Sequence, residues 1–172
     1  MSTATILHTA RLTLRLPGPQ DFPAQAAFLA SDRSRFVGGP MAAGQAWRTL
    51  ATMIGHWTLR GFGKWAVTLQ GSDQAIGLVG LYFPADWPEP EIAWHLWDPT
   101  AEGKGYAFEA ALAARRHAFV TLGWSTAVSY ISPENRRSIA LADRMGAIVD
   151  PNASPPGNDP VLAYRHPSGM SA

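Results

Sequence analysis

From Arg11 to Leu16 the chain reads RLTLRL, polar and apolar in strict alternation. A period of two puts every second side chain on one face, which predicts a half-buried strand over 11–16. Pro17, Gly18 and Pro19 stop it. The period then lengthens. Phe22, Ala26 and Leu29 fall roughly on one face of a helix over 19–31, and Gly38, Gly39 and Pro40 form a break. Between about 44 and 60, Trp47, Leu50, Ala51, Ile54, Trp57 and Thr58 recur at helical spacing, and Gly61 and Gly63 end this second helix. At residue 64 the period returns to two. KWAVTLQ (64–70) and QAIGLVGLYF (74–83) read as strands joined by a Gly-Ser-Asp turn, a hairpin signal. EIAWHLW (91–97) follows the turn residues of PADWPEP as a third strand. A long helix is predicted from about 104 to 122, with Tyr106, Ala107, Ala110, Ala111, Ala114, Ala118 and Leu122 in period and Gly123 as its stop. STAVSYIS (125–132) reads as a strand. PENRRSIALADRMGA reads as a short helix with Asn135 near its start and Gly146 just past its end. AIVD and VLAYRHP close the pattern as a strand pair around the Pro/Gly/Asn-rich loop 151–160, with a loose tail after Pro167.

Strands joined by short turns are antiparallel. The strands at 91–97 and 125–132 are connected through a helix and are therefore parallel by the usual crossover rule. The prediction is an α/β (α+β) fold: a mixed, mostly antiparallel central sheet with one βαβ unit near its middle and helices against it. At 172 residues without repeats or a linker, the expectation is a single domain with its core at about 9–167.

Composition narrows the functional classes. A hydrophobic content of 47% with 16% charged residues fits a folded protein rather than a disordered one. The net charge of +1 and the absence of a Lys/Arg-rich block give no field for nucleic acid or an anionic membrane. There is no cysteine, which excludes disulfides, thiolate metal sites and a cysteine nucleophile. No metal site is expected. The N-terminal residues lack the pattern of a secretion signal and no run approaches a membrane helix, so the expected location is cytoplasmic.

Residues 102–110, EGKGYAFEA, place two glycines and a lysine where the long helix begins. A helix start carries main-chain N–H groups without partners and partial positive charge, and glycines let an anion approach them. The dinucleotide and Walker patterns do not match: Phe108 stands where the first needs glycine, and Gly103-Lys104 is followed by Gly105 where the second needs Ser or Thr.

The order of elements, with EIAWHLWDPTAEGKGYAFEAALAARRHAF followed by SPENRRSIALADRMGA, resembles the GNAT superfamily of acyl-CoA-dependent N-acetyltransferases. Within it the chain is most similar to the branch containing ribosomal-protein N-terminal acetyltransferases. The resemblance runs from ARLTLRLP to VLAYRHP. The family's pattern of Arg or Gln, two residues, Gly, one residue, Gly or Ala falls on Glu102, Gly105 and Ala107. Its Asn, with Ser three later and a following Gly, falls on Asn135, Ser138 and Gly146. Glu102 departs from the pattern: a carboxylate beside a diphosphate is unfavourable, and it reads as a helix-start acid that favours the dipole.

The resemblance implies acetyl-CoA as cosubstrate, an amine acceptor, and the acyl-CoA N-acyltransferase fold, in which the strands at 91–97 and 125–132 splay apart. The diphosphate would lie on the N–H groups of Gly103, Lys104, Gly105, Tyr106 and Ala107. The pantetheine arm would pair with main-chain groups near Leu96 and Trp97, and Asn135 would hold the pantetheine or adenine end. Direct transfer in a ternary complex needs a base, an oxyanion donor and an acid for the thiolate. Glu91 and His95 share a strand face and are the candidate bases, Glu91 being favoured because resembling proteins often carry an acid there. Ser138 is the candidate acid, with Tyr130 outside it. Trp87 is the candidate wall of the acceptor site, and the helices 19–31 and 43–60 correspond to the family's acceptor-recognition elements. A non-catalytic acyl-CoA-binding module is the alternative, and a monomer or homodimer is expected.

Overall fold

The computed structural model describes residues 5–168; the predicted loose tail lies largely outside them. One eight-stranded sheet runs through the molecule. A short β1 (Leu7–His8) pairs antiparallel with β2 (Leu12–Arg15). β3 (Lys64–Leu69), β4 (Ala75–Tyr82) and β5 (Glu91–Leu96) follow as an antiparallel meander. β6 (Val128–Ile131) lies parallel to β5. β8 (Leu162–Arg165) then sits between β6 and β7 (Ile148–Val149), so the closing strand pair inserts its second member against the sheet. The strand order is β1-β2-β3-β4-β5-β6-β8-β7.

The helices form two layers. α1 (Phe22–Leu29) and α2 (Ala43–Arg60) cover one face. There Phe28, Leu29, Ala46 and Met53 bury themselves against Ala66, Leu78 and Trp97. α3 (Tyr106–Arg116) covers the other face and continues into a wider π turn over His117–Thr121. Its Ala110, Ala111, Ala114 and Ala118 are all fully buried against Leu12, Leu14, Val79, Leu81 and Ile92. Four alanines on one stripe let the helix lie close to the sheet, and the removal of this apolar surface from water holds the two layers together. α4 (Arg136–Arg144) packs over β6 and β8 through Ile139 and Ala142.

Most elements are shorter than the sequence reading by a residue or more at their ends, and three differences bear on the site. The long helix starts at Tyr106 rather than Lys104, because Gly105 adopts a left-handed conformation that ends the preceding loop. Residues 125–127 lie outside β6. A 3-10 stretch over Asp32–Val37 joins α1 to α2, where the sequence offered no apolar period. Its Arg33 becomes important at the site.

Candidate active site

β5 and β6 share backbone pairing at one point only. Glu91 opposite Val128 is their sole registered pair, and Val128 donates its N–H to the Pro90 carbonyl at 3.0 Å. Ser129 then staples the strands: its hydroxyl donates to the Ile92 carbonyl at 2.5 Å and lies 2.9 Å from His166 Nε2. Beyond Ile92 the two strands diverge. This is the splay expected from the resemblance.

The ladder on the other side of β5 fixes which groups face the gap. Trp97 donates its N–H to Ile76 at 2.7 Å, and the β4–β5 register pairs His95 with Leu78, Ala93 with Gly80 and Glu91 with Tyr82. Antiparallel hydrogen bonds alternate along a strand, so the main-chain groups of Ile92, Trp94 and Leu96 turn away from β4, towards the gap. Leu96 is therefore on the expected edge. Trp97 is not: its N–H serves Ile76 and its carbonyl accepts from Arg33 Nη1 at 2.6 Å. Trp94 takes the place the sequence reading gave to Trp97, and ladder phase is a property of the sheet that no local pattern reveals.

At the wide end of the gap lies the start of α3. Gly103 (φ 74°) and Gly105 (φ 79°) are both left-handed, a conformation that costs other L-residues about 1–2 kcal/mol. Among the described residues, none of the main-chain N–H groups from Gly103 to Ala107 donates to a protein acceptor. They form a row of unpaired donors at the positive end of a helix. Arg11 braces the loop from outside. It donates to the Lys104 carbonyl at 3.0 Å, pairs with Glu109 at 2.7 Å and lies 4.7 Å over the Tyr106 ring. A Cβ on Gly103 would meet no atom within 4 Å, and one on Gly105 would meet only Arg11 Nη2 at 3.5 Å. The donors are thus open to a ligand, and a diphosphate fits them by charge and by hydrogen-bond type.

Glu102 is not simply a helix-start acid. It bridges two arginines: Arg33 Nη2 lies 2.6 Å from Oε1, and Arg137, from the first turn of α4, pairs with Oε2. Burial raises the Glu102 carboxyl, but the hydrogen bonds and charges of Arg33 and Arg137 outweigh that and hold it below its ordinary value. Two cations around one anion leave the mouth net positive, with Lys104 adding a third positive charge. Glu102 thus gathers two cations at the position where the resembling pattern has Arg or Gln. Arg33 also donates to the Leu96 carbonyl at 3.2 Å, so it ties the mouth of the gap to the end of β5. Sequence reasoning missed it because its partners are more than sixty residues away.

On the α1/α2 side, a cavity of about 370 Å³ opens into the gap and is lined by Lys64, Trp87, Glu91, His95, Asn135 and Ser138 among others. Five of these were singled out in the sequence and the fold brings them together. Glu91 is 7% exposed. Trp87 donates its indole N–H to Oε2 at 2.7 Å and the Tyr130 N–H reaches Oε1 at 3.3 Å. Burial raises the Glu91 carboxyl above its ordinary value, opposed by the charge of Lys64 and by these two donors. His95 is stacked on Phe28 at 5.5 Å, and burial together with the Lys64 charge pushes it down to about 3. It is a neutral ring and a weak proton acceptor. Tyr130 donates its hydroxyl to the Ser154 carbonyl at 3.0 Å, and burial with the charges of Glu89 and Glu91 pushes it up to about 12.

α4 completes the far wall. Asn135 caps it, its Oδ1 accepting the Ser138 N–H at 3.2 Å, which leaves its amide nitrogen for the cavity. The Ser138 hydroxyl oxygen accepts the Trp94 indole N–H at 3.2 Å. With its oxygen so occupied, the hydroxyl keeps its own proton to give.

Comparison with known proteins agrees with this arrangement. Residues 11–148 match the family model described as an acetyltransferase (GNAT) domain. Among solved structures, an acetyltransferase from Agrobacterium tumefaciens str. C58 is 41% identical, with 94% of each chain covered and a TM-score of 0.88. A GNAT-family acetyltransferase from Bacillus anthracis is 21% identical over 94% of this chain and 96% of its own, with a TM-score of 0.75. RimL, a ribosomal L7/L12 alpha-N-protein acetyltransferase in complex with coenzyme A, is 17% identical over 94% of this chain and 97% of its own, with a TM-score of 0.73; both of these more distant matches share the fold. The chain belongs to the GNAT acetyltransferase family.

Proposed function

We propose that the protein is an N-acetyltransferase that moves the acetyl group of acetyl-CoA to a primary amine by direct attack in a ternary complex. The observation that carries this reading is the parting of β5 from β6 beyond Glu91, with a row of free N–H donors at its wide end and a carboxylate at its closed end. Gly103, Lys104, Gly105, Tyr106 and Ala107 hold the diphosphate through their N–H groups. Main-chain groups of Trp94 and Leu96 pair with the pantetheine arm, and the Asn135 amide nitrogen binds it from α4. Acetyl-CoA supplies the activated carbonyl.

Glu91 is the base. An acceptor ammonium is mostly protonated at neutral pH, and a buried carboxylate with a raised pKa is a better proton acceptor than an exposed one. His95 is too weakly basic for that role. The acceptor ammonium gives one proton to Glu91, which passes it on to solvent, and the freed amine forms a bond to the acetyl carbon; the nitrogen then loses its second proton to the same carboxylate as the tetrahedral intermediate collapses. A main-chain N–H of the open stretch of β5 receives the negative charge on the carbonyl oxygen. The C–S bond then breaks, and the thiolate takes the proton of Ser138, which regains one from solvent. Trp94 orients the Ser138 hydroxyl for this step.

The test is release of free thiol from acetyl-CoA across a panel of peptides and small amines. Saturable amine-dependent release supports transfer. Tight acetyl-CoA binding without release on any amine would leave a non-catalytic binding module.

A further inference from the structure

The cavity beside Glu91 contains a cation that, among the described residues, no carboxylate contacts, although the charge of Glu91 lies near enough to act on it. Lys64 begins β3, and its side chain lies on the same face as Ala66, towards α1 and α2. Its ammonium sits 4.5 Å from the centre of the Tyr82 ring, and Tyr82 is the residue paired with Glu91 across the sheet. The lysine is thus held at the rim of the Glu91 cavity by an aromatic face. Among the described residues it forms no ion pair and donates to no oxygen. Glu91 is not its partner at contact distance, because the Glu91 oxygens are turned to Trp87 and Tyr130. Asp159 also lines the cavity, from the loop before β8, and makes no ion pair with Lys64. Two more buried polar atoms of the same cavity lack partners: His95 Nε2 and Gln25 Oε1.

Burial lowers the Lys64 pKa, opposed by the charge of Glu91; an ammonium with no acceptor in contact and orphaned polar atoms lining the same pocket are both costly. The natural complement is a ligand carrying an anion next to its amine. We propose that the acceptor is a small amino acid, its amine directed to Glu91 and its carboxylate received by Lys64. This rests on the N-acetyltransferase reading above and narrows it to one substrate class. The volume agrees: about 370 Å³ lies at the small end of the ~300–1,000 Å³ typical of small-molecule sites. The chemistry is complementary as well. The cavity offers carboxylate and amide oxygens from Glu91 and Gln25 for an ammonium, and the Lys64 ammonium for a carboxylate, and the small Ala93 also lines it. A peptide N-terminus has no carboxylate at that position and would leave Lys64 unpaired.

The experiment compares acceptors that differ at the carboxylate: alanine with alaninamide and phenylalanine with phenylalaninamide, beside a short peptide beginning with serine; the amides carry the less basic amine and so more free nucleophile, which works against the expected preference. Thiol release gives kcat/KM for the native protein, Lys64→Met and Lys64→Arg. The free acid should be preferred over its amide at least tenfold by the native protein. Lys64→Met should bring that ratio to about one, Lys64→Arg should retain part of it, and the acetyl-CoA dissociation constant should not change. An amide or the peptide used as well as the acid overturns the proposal, as does a preference that survives in Lys64→Met. Calorimetric titration of the same acids and amides into the CoA-loaded native protein gives a second reading that needs no turnover. Binding of acids alone supports the site even if no thiol is released, an outcome that would count against acetyl transfer and not against Lys64. Equal binding, or none of either, overturns it.

Discussion

Replacing Glu91 with Gln isolates the proton transfer. The two side chains have the same shape, and the Gln carbonyl can still accept the Trp87 indole N–H, so the indole that the native carboxylate holds at 2.7 Å keeps a partner. Its amide nitrogen would face the Tyr130 N–H, which the carboxylate accepts at 3.3 Å. Losing one weak acceptor costs about 1–3 kcal/mol, offset by removal of a charge that burial disfavours. The fold should survive. Catalysis should not: a positioned general base contributes about 10²–10⁴-fold, equivalent to ~2.7–5.4 kcal/mol at about 1.36 kcal/mol per tenfold. Steady-state thiol release should therefore show kcat lowered at least a hundredfold with the KM for acetyl-CoA within about twofold, since Glu91 lies at the closed end of the gap, away from the diphosphate donors. The pH profile gives an independent reading. Burial raises the Glu91 pKa above 4.5, so activity should be full above that raised value and fall as pH drops through it, and the acidic limb should vanish in Glu91→Gln. A variant within threefold of the native kcat, with the limb unchanged, would refute Glu91 as the base.

Two further substitutions probe the ends of the gap. Ser138→Ala removes the proton offered to the departing thiolate and leaves the Trp94 indole without its acceptor; kcat should fall about 10-fold or more, and a more acidic leaving thiol should recover much of the loss, as measured with acyl donors of graded thiol pKa. Arg33→Met strips Glu102 of one of its two cations and frees the Leu96 and Trp97 carbonyls. Acetyl-CoA should then bind about tenfold more weakly, about 1.4 kcal/mol, in calorimetry at low salt, while an unchanged affinity would remove Arg33 from the mouth.

Much of this architecture was legible in the chain because it is carried by period and punctuation. The alternation in KWAVTLQ and EIAWHLW places their strands to within a residue, and the alanine stripe of α3 predicts its buried face. The order of strand and helix around EGKGYAFEA predicted the parallel pair. Motif spacing singled out Ser138, Asn135 and the glycines, and a shared strand face with the resemblance singled out Glu91; the fold brings Glu91, Asn135 and Ser138 to one cavity. What escaped was set by the sheet as a whole. Ladder phase decides that Trp94 and not Trp97 opens to the gap. Arg33 reaches Glu102 from a 3-10 turn with no pattern of its own. Lys64 looked like the first residue of an ordinary strand, and only the register that sets Tyr82 against Glu91 shows where its charge lies.

Acetyl-CoA binding depends most on the helix mouth holding a diphosphate by its main chain, and Gly105 tests this alone. Its φ of 79° costs a substituted residue about 1–2 kcal/mol, more for a β-branched one, so in Gly105→Val the loop should relax and misdirect the N–H groups of Gly105, Tyr106 and Ala107. Calorimetric titration with acetyl-CoA should show a dissociation constant raised at least tenfold in Gly105→Val, with circular dichroism unchanged, and little change for acetyl-pantetheine, which lacks the diphosphate. A folded Gly105→Val that binds acetyl-CoA as tightly as the native protein would contradict the account.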